Sequence, residues 1–86
     1  MNVKQEIRKC VEEKKVIIGT ERTIKALKKG SLSKVFLAAN TSADVVAEVN
    51  ALANKAEVVV LKENNEELGT ICKKPFFISV LGINNG

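Results

Sequence analysis

The sequence predicts an α/β protein: a three-layer α/β/α sandwich on a four-stranded mixed sheet, built as one domain over residues 1–86. Short, wholly apolar runs alternate with segments whose apolar residues recur at helical spacing, in the order αβαβαβαβ. The apolar runs lack polar alternation, as strands covered on both faces do. The breaks between segments are Gly, Asn, Ser, Thr or Pro, with no repeat, low-complexity tract or linker.

Residues 2–14 predict a helix with Asn2 as its cap and Val3, Ile7, Cys10 and Val11 on one stripe. Val16, Ile17 and Ile18 predict a strand, and Gly19 a sharp turn after it. Thr20 predicts the cap of the next helix, in which Ile24 and Leu27 face inward and Lys25, Lys28 and Lys29 outward. Gly30 ends that helix, and 31–33 form a loop. A second strand is expected over 34–39. A third helix follows over 43–54, capped by Thr41 or Ser42 and facing inward through Val45, Val46, Val49, Leu52 and Ala53. A third strand is expected over 57–62 and a short helix over 66–72, the latter with Leu68, Ile71 and Cys72 inward. Lys73-Lys74-Pro75 breaks that helix, because proline cannot continue it. A last strand is expected over 76–81, with 82–86 a frayed tail.

Composition narrows the function classes. The chain has no histidine, which removes the usual general base, the Ser-His and Cys-His triads and a Cys/His zinc site. There is no Walker-type glycine loop and no carboxylate cluster. No enzyme, metal or cofactor is therefore expected. Cys10 and Cys72 read as two buried thiols rather than as a disulfide. With no secretory h-region and no membrane-length apolar run, the expected setting is the cytoplasm.

Charge supplies the positive signal. Seven Lys or Arg and a single Glu within 14–34 give a local charge of +6, against +4 for the whole chain. A strand–Gly–helix junction in that stretch aims backbone N–H groups at an anion. Beside so many cations, that anion reads as a nucleic-acid phosphate.

Three blocks carry a family resemblance: IIGTERTIKALKKGSLSKVFLAAN (17–40), NNEELGTICKKPF (64–76) and ISVLGI (78–83). In order and without large gaps, they resemble the kink-turn RNA-binding ribosomal-protein superfamily. The branch most similar is the archaeal and eukaryotic large-subunit protein thirty-e; archaeal seven-Ae and bacterial stand-alone kink-turn proteins are relatives. The resemblance implies binding to a sharply bent helix–internal loop–helix of RNA with sheared G·A pairs. The start of the second helix would enter the major groove, and the loop before the last strand would hold an extruded base.

Carried onto this chain, the resemblance implies roles for Gly19 and Thr20 at the close-approach turn and for Lys25 one turn on. It likewise implies roles for Asn40 at a strand end and for Phe76 stacking on the extruded base, with Arg22, Lys74 and Pro75 around them. The residues themselves leave alternatives open. Gly19 also suits a plain tight turn, Lys25 a solvated face, Phe76 a core position and Asn40 an Asx turn or helix cap. Lys28 and Lys29 fit phosphate contacts, which raise affinity without selecting sequence. Two positions depart from the family pattern. Glu21 stands where relatives carry Lys or Asn, and Lys73 where many carry Gly. The expected partners are RNA, with a ribosomal kink-turn foremost, and a ribosome or small ribonucleoprotein; no membrane partner is expected, and the protein is expected to be a monomer. The alternative is a protein–protein interaction module on the same sandwich.

Overall fold

The structure, a computed structural model, describes residues 3–53 and 56–84. Its elements are α1 (Val3–Glu12), β1 (Val16–Ile18), α2 (Thr20–Lys29), β2 (Leu32–Leu37), α3 (Ala43–Leu52), β3 (Glu57–Val60), α4 (Asn65–Ile71) and β4 (Val80–Asn84). The strands form one mixed sheet in the order β1-β4-β2-β3. β2 and β3 run parallel, and β4 runs antiparallel to both of its neighbours.

The two-residue period of the strands sorts side chains into two cores. Phe36, Ala38, Leu81 and Ile83 meet Ile7 of α1 and Leu68, Ile71 and Cys72 from the α4 end. Val35, Leu37 and Val80 meet Ile24 and Leu27 of α2 and Val49 of α3. The three layers are those expected. Gly82 brings the second layer close, since a Cβ there would meet Leu32 Cδ1 at 2.8 Å and Thr23 Cγ2 at 3.2 Å.

Several boundaries differ from the sequence reading. β2 begins at Leu32, inside the expected loop, because Leu32 pairs with Asn84 and Ser33 Oγ donates to the Ile83 carbonyl. It ends at Leu37: the Ala38 amide still donates to the Ser79 carbonyl in line with the Leu37–Val80 pair, but the Ala39 amide turns away to the Glu63 carbonyl. The last strand is the larger correction. Phe76 and Phe77 are not in it, and the expected tail supplies its rungs: Gly82 pairs with Ile17 and Val35, and Ile83 with Val16 and Lys34. β3 stops at Val60 and α3 at Leu52, while α4 sits one residue earlier than expected. The expected Asn2 cap lies outside the described residues. The Ser42 cap is present, its Oγ accepting from the Val45 amide.

Three helices end in the same way. At α1 the amides of Lys14 and Lys15 donate to Val11 and Cys10. At α2 those of Gly30 and Ser31 donate to Leu27 and Ala26, and at α4 those of Lys73 and Lys74 donate to Thr70 and Gly69. Each is a Schellman turn, which needs a left-handed residue after the helix. Gly30 meets that need at φ 73°, but Lys14 at 58° and Lys73 at 59° are lysines in a conformation that favours glycine.

Candidate nucleic-acid interface

Two segments build the site. The first is the β1–α2 junction. Gly19 has φ 115°, a region closed to other residues at low cost, and its amide donates to the Val80 carbonyl. Gly19, not Thr20, is the residue at the cap of α2, and no side-chain hydrogen bond caps this helix. Thr20 is instead its first residue, because the Thr23 amide already reaches back to the Gly19 carbonyl. Thr23, fully buried, donates its hydroxyl to the Ile17 carbonyl at 3.4 Å and ties the helix to β1. With Thr23, Ile24, Ala26 and Leu27 buried, Glu21, Arg22, Lys25, Lys28 and Lys29 are left on the exposed face.

The second segment is residues 72–79. It turns sharply at Lys73 and folds back onto α4, because Gly69 has no side chain. A Cβ there would collide with the Phe76 carbonyl and touch Phe77 Cα at 3.6 Å. The Ile78 amide then donates to the Asn65 carbonyl, and the Ile78 side chain is buried. Phe76 and Phe77 are left 52% and 65% exposed. Phe76 was expected to open a strand; it lies in this loop instead.

The two segments face each other across an open groove of about 590 Å³. Gly19, Thr20 and Arg22 stand on one side and Lys74, Phe76 and Phe77 on the other, with Ile18, Ile78 and Ser79 completing the lining. A second groove, of about 600 Å³, shares Ile18, Arg22 and Lys74 and continues past Lys25 and Lys29 to Lys14. The arrangement offers cations for phosphate, two aromatic faces for stacking and a backbone that admits close approach.

Not all expected residues converge here. Asn40 binds Asn65 twice, accepting from its amide at 2.9 Å and donating to its side-chain oxygen at 3.1 Å. It thus supports the first turn of α4, beside the Asn64–Glu67 capping box, and lines neither groove. Lys28 lines neither groove; it lines a third, together with Lys29, Leu52 and Ala56. Lys73 lines a separate cleft with Arg8 and Glu12. Glu21 and Pro75 are exposed and line neither groove. Two cations of the basic stretch are neutralised locally. Lys34 donates to Glu6 at 2.8 Å, which holds its ammonium pKa above the usual value, and Lys15 lies 3.9 Å from Glu13.

Sequence reading missed Phe77 and Gly69. Two adjacent Phe point to opposite faces of a strand, and in a sheet covered on both faces each could reach a core, so residue type and spacing alone did not set Phe77 apart. A glycine inside a helix is the sign of a close backbone approach.

The profile of the Ribosomal protein L7Ae/L30e/S12e/Gadd45 family matches residues 1–86. Over 83 residues the chain is 37% identical to the large ribosomal subunit protein eL30 of Methanosphaera stadtmanae, covering 94% of this chain and 85% of that one. It is 38% identical over 66 residues to the RNA-binding protein YbxF of Geobacillus stearothermophilus, covering 76% of this chain and 80% of that one. Among solved structures, the 15.5kD RNA binding protein of Giardia lamblia superposes with a TM-score of 0.86 at 16% identity, over 98% of this chain and 72% of that one. At that identity the likeness speaks for the fold.

Proposed function

This chain belongs to the Ribosomal protein L7Ae/L30e/S12e/Gadd45 family, and on that premise we propose that it is an RNA-binding ribosomal protein that recognises a kink-turn in the large subunit of the cytoplasmic ribosome. It acts by binding and catalyses no reaction. The observation that carries the reading is the groove between α2 and the 72–79 loop, which sets Arg22 and Lys74 beside two exposed phenylalanines.

The cations capture RNA over a Debye length, and their contacts release counterions. Gly19 lets the RNA backbone or a base edge come close to the start of α2. Arg22 and Lys25 offer donors to guanine O6 and N7 in an opened groove. Phe76 or Phe77 stacks on an unpaired base. A bent RNA that sets a groove edge against α2 and an unpaired base against the 72–79 loop makes more of these contacts than a straight one, so binding shifts the RNA population toward the kinked state.

In a titration followed by fluorescence anisotropy, a kink-turn duplex binds more tightly than a straight duplex of the same length, and the affinity falls as salt rises. Equal binding of the two duplexes at moderate salt would refute the proposal.

A further inference from the structure

We propose that the second groove is a phosphate track for one of the stems flanking the kink, with Lys14 and Lys29 as its outer cations. The inference rests on the RNA-binding reading above and extends the footprint along the β1 edge of the sheet.

Charge is the first argument. Lys14, Arg22, Lys25, Lys29 and Lys74 line this groove, and no carboxylate does. Among the described residues none of the five forms an ion pair, whereas Lys15 and Lys34 beside them are turned to glutamates. A rim of one sign left unneutralised suits a polyanion.

Geometry is the second argument. Arg22, Lys25 and Lys29 stand at i, i+3 and i+7, a single stripe along α2. Lys14 faces them from the turn after α1, held there by the left-handed backbone of its Schellman turn. The groove begins at Arg22 and Lys74, where the aromatic groove ends. An RNA seated against Phe76 and Phe77 therefore has one direction in which its next stem meets cations. Lys28 does not line this groove and stands off that path, while Lys29 lies at the border and lines both this groove and the one beside Lys28.

Two kink-turn RNAs test this, one with long flanking stems and one with the stems cut back to the kink. Wild type binds the long-stemmed RNA more tightly. Lys14→Gln/Lys29→Gln lowers that affinity on the order of tenfold and the salt slope by about 2, while leaving the cut-back RNA unchanged. Lys14→Gly/Lys29→Gln, which also relieves the backbone, gives the same loss, and Lys28→Gln gives none. If wild type prefers kinked RNA but the double variants lose equally on both RNAs, or Lys28→Gln loses as much, the track is refuted and the kink-turn reading stands. If wild type does not distinguish kinked from straight RNA, the functional reading falls, and this one with it.

Discussion

Lys73 sits at φ 59° because the turn after α4 requires a left-handed residue there. An L side chain pays about 1–2 kcal/mol for that conformation, partly offset by the backbone entropy a glycine would lose. Lys73→Gly should therefore raise unfolding free energy by about 0.5–1 kcal/mol, read as a higher denaturant midpoint at unchanged m value. The departure from the family pattern was visible in the sequence, but its conformational meaning needed the backbone. Phe76 and Phe77 make the opposite case. Each is more than half exposed, so Phe76→Ala and Phe77→Ala should shift stability by no more than about 0.5 kcal/mol. The variant that removes the stacking face should weaken RNA binding by about 1–3 kcal/mol, as measured by titration. Lys25→Ala should weaken it more than Lys4→Ala, because Lys4 lies 4.0 Å from Glu63 and lines neither basic groove.

At the scale of elements, α4 does two things with seven residues. It buries Leu68 and Ile71, and through Gly69 it seats the loop that carries the aromatics. Gly69→Ala forces backbone against backbone, which no rotamer relieves. The expected cost is about 1–3 kcal/mol of stability, together with a displaced loop and weaker RNA binding. If Gly69→Ala melts lower but binds RNA as wild type does, the loop is not part of the binding surface. The same element shows where sequence reading runs out. The run FFISVL that follows α4 has strand composition throughout, and period-two sorting cannot tell a residue facing a core from one left exposed in a loop. The cap of α2 was ambiguous for a similar reason. Thr20 and Gly19 both suit a cap, and what decides between them is a tertiary bond, from the Gly19 amide to Val80, sixty-one residues away. Segments with strong helical period, such as α1, α2 and α3, were legible to within about two residues at their ends.

For the whole molecule, layer order and helix placement followed from alternation and apolar spacing, whereas strand order did not, because nothing local records which strand lies between which. The cysteines give a global titration. Burial raises the thiol pKa of Cys72 above its ordinary value of 9.0, and burial followed by Glu6 and Glu13 raises that of Cys10. The folded state therefore holds these protons longer than the unfolded chain does, so their contribution is complete below pH 9 and declines above it. Thermal melts should show a flat midpoint up to about that pH and a falling one beyond it, with a shallower fall in Cys72→Ala. β4, made last among the described strands, lies between β1 and β2. Until translation has delivered residue 84 the sheet has no centre, and β1 has no described strand partner at all. The groove past Lys14 runs along β1 and the aromatic groove meets that strand at Ile18, so neither groove is complete before β4 has joined the sheet. RNA binding would thus depend on the last of the described strands to be made.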